Sequence, residues 1–311
     1  MSKVIGILSG KGGVGKTTLV ANLGAALTKA FSKNILIFDS NINTSHLGLH
    51  LGIYEDLPVT IREVLRSRMP VTSAIYMHPA TGIRLIPAPL SGDGVALTRE
   101  KCSRMVDEVK NNYDMVLLDT APGLGKEVMV ALSAIDEAII ITTPDIPAVT
   151  DALKALNMLK KLGIKPLGIV VNRRSNEKYE LTDKEISSTC GSDVIATIPE
   201  DRRVLKALSK GIPAVISYPN SRASQAVKNL AARLVGIEYR KSGFLEGLMK
   251  LFGFGGVKKQ DVLMRTEKMV SPDAEVKDMQ KLRDELVKEV KDGLKKELVE
   301  GIKKRLKERG G

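Results

Sequence analysis

Ten residues near the start of the chain, SGKGGVGKTT from Ser9 to Thr18, leave little freedom in what it can fold into. They follow an apolar, β-rich run, Val4 to Leu8, and open a helix-length stretch, Thr17 to Lys29. Gly10 to Thr17 satisfies the phosphate-loop pattern GxxxxGK[ST] in its required context of strand, loop and helix. Gly10, Gly12, Gly13 and Gly15 let backbone amides, Val14 included, approach a phosphate that side chains would keep away, and the helix that follows adds the positive end of its dipole. The pattern gives Lys16 to the β- and γ-phosphates of a nucleotide, Thr17 to a magnesium ion and Thr18 to the α-phosphate.

The rest of the chain alternates in the way such a loop needs. Apolar runs recur at Ile35 to Phe38, Ile83 to Ile86, Met115 to Leu118, Ala138 to Thr142, Leu167 to Val171 and Val194 to Ile198. Between and after them, Arg99 to Asn111, Ala148 to Leu162, Arg202 to Lys210 and Ser221 to Val235 read as covering helices. Strand followed by helix, repeated, implies right-handed crossovers. The expected fold is therefore α/β: a doubly wound, mostly parallel sheet of seven to eight strands with helices on both faces, plus a C-terminal helical extension. Apolar residues make up 43% of the chain and aromatic ones 4%, with no Trp, so Ile, Val, Leu, Ala and Met must fill the core, as suits a buried parallel sheet.

Lys11 is a residue that an ordinary phosphate loop does not require. KGGVGKTT, Lys11 to Thr18, resembles the deviant Walker A motif of the MinD/ParA ATPases, and in particular of archaeal MinD-like septum-site-determining ATPases. The resemblance runs from about Lys3 to Gly256. It implies an ATP- and Mg2+-dependent homodimer in which Lys11 reaches the partner's phosphates, supplying charge to the transition state as an arginine finger does. LLDTAPG, Leu117 to Gly123, resembles switch II, with Asp119 near the metal and Gly123 near the γ-phosphate. Ile35 to Gly52 resembles switch I, with Asp39 as a further residue near the metal. Ile169 to Arg174 and Ile198 to Pro213 resemble the segments that hold the base, giving Asn172 to adenine and Pro199, Glu200 and Asp201 to the wall beside it. Switch I departs from the family in one place: Asn41 stands where a second Asp is usual. An amide can orient water but cannot accept its proton, so slow hydrolysis and a long-lived ATP state are expected.

The ATPase domain is expected over residues 1–239, a short amphipathic segment over 240–256, a linker over 257–271 and a charged helix over 272–311. In the second of these, helical spacing gathers Phe244, Leu248, Leu251 and Phe252 with Leu245 beside them, flanked by Lys241 and Lys250. Large apolar residues with basic neighbours fit binding at an anionic membrane surface, and the segment resembles the membrane-targeting helix of MinD. There that helix ends the chain, whereas here residues 257–311 follow. The last segment recurs at intervals of three or four from Val276 to Leu306, as one long amphipathic helix that binds an unidentified protein partner or packs on its own domain.

The net charge of +12 suits a membrane, DNA or solubility alone. The reading is a MinD-type, ATP-dependent dimerising switch controlling membrane association and the positioning of cell-division or other cargo proteins. The alternative is a ParA-like ATPase holding DNA non-specifically through residues such as Arg202, Arg203, Lys206, Lys210, Arg222 and Lys228. Cys102 and Cys190 form no CxxC pair, so neither a zinc site, a disulfide framework nor the shared cluster of an iron–sulfur carrier on this scaffold is indicated. The chain runs from Met1 straight into a strand and holds no apolar run near the ~20 residues of a membrane span. A cytoplasmic protein with reversible peripheral membrane association is expected.

Overall fold

The structure, a computed structural model, describes residues 2–42, 46–53, 57–67, 69–89 and 96–237. The amphipathic segment with Phe244 to Phe252, the linker and the last helix lie outside the described residues, as does Asn43 of the switch-I-like stretch.

Among the described residues the strands are β1 (Lys3–Leu8), β2 (Ile35–Asp39), β3 (Tyr76–Met77), β4 (Arg84–Ile86), β5 (Met115–Asp119), β6 (Glu137–Thr142), β7 (Lys165–Arg174) and β8 (Val194–Pro199). They form one sheet in the order β3-β4-β2-β5-β1-β6-β7-β8, parallel throughout except for β3. The helices are α1 (Lys16–Phe31), α2 (Leu47–His50), α3 (Ile61–Ser67), α4 (Arg99–Lys110), α5 (Lys126–Leu132), α6 (Ile146–Lys161), α7 (Asp183–Cys190), α8 (Arg202–Leu208), α9 (Ala214–Ser217) and α10 (Arg222–Leu234). The expected doubly wound, mostly parallel sheet is the one observed.

Alternation along β1 sorts the layers. Val4 and Leu8 pack into one cluster with residues of α3 to α7, and Ile5 and Ile7 into the other with residues of α1 and α10. Both faces are thus dry, which is why the strands read as continuous apolar runs instead of alternating ones. From β1 the chain crosses to β2 on one side, whereas β5 crosses over β1 to β6 on the other. Doubly wound sheets bind ligands beyond the carboxyl ends of their strands at such a reversal of direction.

The helix starts are locally specified. Thr98, Asp145, Thr182 and Ser221 each accept a backbone amide from the first turn of α4, α6, α7 and α10. Thr182 and Glu185 form a full capping box, which starts a helix through the otherwise unfavourable sequence DKEISSTC. Helix α6 begins two residues before the Ala148 expected from sequence, because Pro147 fits a first turn whose amides need no intrahelical partner.

In the next-to-last strand of the sheet, the register between β7 and its neighbours shifts around Gly168. It has φ of +142°, and a Cβ there would lie 2.8 Å from the Asp193 carbonyl oxygen. Gly168→Ala is expected to destabilise the protein by more than about 1 kcal/mol, as measured by urea unfolding.

Candidate functional site

Strands β1, β2 and β5 deliver their last residues to one place. In the parallel register Ile7 lies beside Asp119, and Asp119 beside Asp39. Both carboxylates are buried, and the phosphate loop starts one residue beyond β1. Ser40 donates to the Asp119 carbonyl through both its amide, at 3.0 Å, and its hydroxyl, at 2.8 Å. The Asn41 amide donates to Asp39 Oδ1 at 3.0 Å, and Asn41 itself is buried. The strand ends are thereby laced together before any ligand arrives.

Lys16, the first residue of α1, places Nζ 3.1 Å from Asp119 Oδ1, with the two side chains only 8% and 2% exposed. Helix α1 has no acidic residue in its first turn, and its N-cap Gly15 has φ of +94°. Only glycine holds such a backbone without strain, and space is a second reason for it: a Cβ at Gly15 would fall inside the amide of Asn172. At Gly13 a Cβ would meet nothing within 4 Å, so the loop is open where it faces outward. A lysine, the amides of a helix N-terminus and open space above glycines are what a phosphate chain requires, so the residues present fit a nucleotide.

Other elements hold the loop in place. The Gly123 amide, at φ of +83°, donates to the Ser9 carbonyl at 3.1 Å, tying the switch-II-like turn to the start of the loop. The Asn172 amide nitrogen donates to the Val14 carbonyl at 2.8 Å. Gly10 packs on the backbone of Asp151 in α6. Thr18 Oγ1 lies 3.1 Å from His50 Nε2 on α2. Burial holds the His50 ring below its usual pKa, against a bond to the His46 carbonyl and the charge of Asp119, which act the other way. Gly12 and Thr17 lie on the same loop and first helical turn, exposed and half-buried.

Beside the loop is a cleft of about 250 Å³, lined by Gly13, Gly15, Thr18 and Asn172 together with Pro199, Glu200 and Asp201. The structure thus brings the residues expected to hold a base to one side of those expected to hold phosphates. Both wall carboxylates are already engaged. Glu200 accepts from Arg173 at 2.8 Å. Asp201 caps α8 and pairs with Arg203 at 2.9 Å through two nitrogens, and that guanidinium holds its carboxyl below the ordinary range.

Lys11 lies across the loop on the far side. Its Nζ is 3.0 Å from Asp145 Oδ1, with both side chains more than a third exposed. Asp145 also caps α6 and accepts from Thr143, and its pKa is lowered by those bonds and by Lys11, against the opposing effect of burial. Sequence reading missed Asp145 as a partner for Lys11 and His50 as a partner for Thr18. For Asp145 a signal existed, since Asp followed two residues later by Pro is a helix start. For His50 none did.

Comparison with known proteins places this architecture. The ParA family, described as NUBPL iron-transfer P-loop NTPase, matches residues 1–235. An ATP-binding protein of Methanocaldococcus jannaschii is 38% identical over 261 residues, 81% of this chain and 98% of its own. The septum site-determining protein MinD of Pyrococcus horikoshii, solved in complex with Mg-ADP, superposes with a TM-score of 0.70 at 32% identity, covering 75% of this chain and 96% of that one. MinD in a MinC:MinD cell division complex of Aquifex aeolicus gives 0.70 at 32%, covering 78% and 98%. The iron transfer in the family description has no matching thiol among the described residues. Cys102 and Cys190 are both buried, and burial pushes the Cys102 thiol up to about 12. Among the described residues no helix is long and apolar enough to cross a membrane.

Removing the lysine ammonium leaves Asp119 charged and unpaired in the interior, which typically costs about 3–5 kcal/mol. Lys16→Ala is therefore expected to lower the unfolding free energy by that amount even without ligand, as read by urea denaturation.

Proposed function

Because the chain belongs to the MinD/ParA family of P-loop ATPases, we propose that it is an ATP-operated switch that dimerises around its nucleotides, hydrolyses ATP slowly and binds a surface in its ATP state. The observation that carries this is the buried Lys16–Asp119 pair beneath the glycine loop, at the carboxyl edge of the sheet. Lys16 is placed to leave Asp119 for the β- and γ-phosphates, and the amides of residues 10–18 to bind the remaining oxygens. Thr17, Asp39 and Asp119 would hold Mg2+, directly or through its waters. The bound metal supplies charge neutralisation on the phosphates. Asn172, Pro199, Glu200 and Asp201 enclose the base, the last two through their backbone and their bonds to Arg173 and Arg203.

Lys11 is the residue that makes the switch a dimer. An ion pair as exposed as Lys11–Asp145 is worth about 0–1 kcal/mol, so phosphates presented by a second chain readily outcompete it. Asn41, buried at the end of β2, orients the attacking water without accepting its proton. Asn41→Asp is expected to raise the single-turnover hydrolysis rate by roughly 10²-fold or more, the usual worth of a general base; an unchanged rate removes Asn41 from the reaction.

The surface bound is proposed to be an anionic membrane, engaged by Phe244, Leu245, Leu248, Leu251 and Phe252, two copies per dimer. Two weak anchors on one body gain from effective concentration, which makes membrane residence follow the nucleotide. The protein then shuttles between cytoplasm and membrane periphery and positions a protein partner, as the septum site-determining relatives suggest by name. Sedimentation with liposomes or with DNA, under ATP and under ADP, tests this. ATP-dependent pelleting with lipid that disappears in a chain ending before Lys241 is expected. Pelleting with DNA alone, weakened by salt, identifies the ParA-like reading instead, and equal lipid pelleting in both nucleotides overturns the coupling.

A further inference from the structure

Thr18 stands on the first turn of α1, inside the loop that faces the nucleotide, yet its hydroxyl points to a histidine. His50 closes α2, a helix of four residues in the switch-I-like stretch, and its two ring nitrogens are both engaged. Nδ1 lies 2.8 Å from the His46 carbonyl and Nε2 lies 3.1 Å from Thr18 Oγ1. A carbonyl can only accept, so Nδ1 carries the proton, and in the neutral ring Nε2 is a bare acceptor. The Thr18 hydroxyl must then be the donor. Its single proton is committed to His50, so it is not available to an α-phosphate oxygen while that bond stands. Burial favours the neutral ring that this arrangement needs.

Helix α2 is also packed on the core, since Leu47 and the residue just past its end, Leu51, are fully buried in the cluster that holds α1. Gly52, at φ of +71°, lies against the Gly211 backbone. Among the described residues, the bond from His50 is a side-chain hydrogen bond that joins this segment to the phosphate loop.

We propose that His50 is a positioning residue for phosphate recognition: it holds the proton of the Thr18 hydroxyl, and a nucleotide's α-phosphate must draw that proton away, breaking the hydrogen bond between α2 and the phosphate loop as it binds. No proton changes owner in this exchange, since the hydroxyl rotates and one hydrogen bond replaces another. The α-phosphate is present in ATP and ADP alike, so the latch reports occupancy of the site. The proposal rests on the nucleotide reading above.

The chain has three histidines, His46, His50 and His78, so selective 15N labelling of histidine in the full-length protein gives few signals to resolve. Adding ADP with Mg2+ is expected to shift the Nε2 resonance of His50 towards that of an unbonded nitrogen, whereas adenosine, which has no phosphate, leaves it in place. By calorimetry, His50→Leu is expected to bind ADP about 2- to 10-fold more tightly, the range of one net hydrogen bond. His50→Gln, which keeps an acceptor for the hydroxyl, returns the affinity to that of the unmodified chain, and in a Thr18→Val background the gain from His50→Leu disappears. ADP binding with the His50 resonances unmoved overturns the proposal and leaves the nucleotide reading intact, as do equal affinities of the Leu and Gln variants. Failure of the unmodified chain to bind ADP at all removes both.

Discussion

An ammonium group shut beneath a loop of backbone amides has to be neutralised, and in this protein Asp119 does it. That requirement reaches further than the pair. Asp119 sits opposite Lys16 because β5 runs between β1 and β2, although it follows both of them and β4 in the chain. A sheet wound in simple sequence order would place β2 beside β1 and carry Asp119 away from the loop, leaving Lys16 buried and alone. The strand order and the site chemistry are one constraint seen at two scales. The dry faces that hold the strands in this order are also what lets the pair stay out of water, and a buried pair of this kind gives specificity of arrangement more readily than stability.

The phosphate loop is gripped by groups from four separate elements, each with a different chemistry. Gly123 reaches it with an amide, Asn172 with a carboxamide, Asp145 with a carboxylate and His50 with an imidazole. They approach from the turn after β5, from β7, from the start of α6 and from α2. A loop of glycines has little rigidity of its own; its shape is borrowed from these neighbours. Any change in one neighbour is therefore felt at the loop, which is the property that a nucleotide-dependent switch has to have.

Much of this was legible in the sequence, for reasons that differ from element to element. Seven of the strands announced themselves, most of them because both faces of the sheet are covered, so that runs such as Ile35 to Phe38 are apolar without a break. Strand β3, two residues at an edge and half open to water, carries no such signature. Helix α7 is poor in helix formers and was overlooked, although Thr182 and Glu185 mark its start. In the site, residues belonging to contiguous motifs were readable: the loop itself, the turn to Gly123, and the wall from Pro199 to Asp201 that lines the cleft beside Asn172. The partnerships of Lys11 with Asp145, 134 residues away, and of Thr18 with His50, 32 residues away, were not. A sequence tells which groups are able to pair, whereas strand order decides which ones meet.

The close approach of Asn172 to Gly15 bears on how such a chain can change over time. The carboxamide occupies the volume in which any side chain at position 15 would have to begin, while bonding to the carbonyl of the residue just before it. A larger residue at 15 is excluded as long as Asn172 is there, and a residue at 172 that withdraws from the loop leaves the Val14 carbonyl without its donor. Two positions 157 residues apart by number are thus bound together, and Gly15 is held twice over, by the volume that Asn172 fills and by its own φ of +94°.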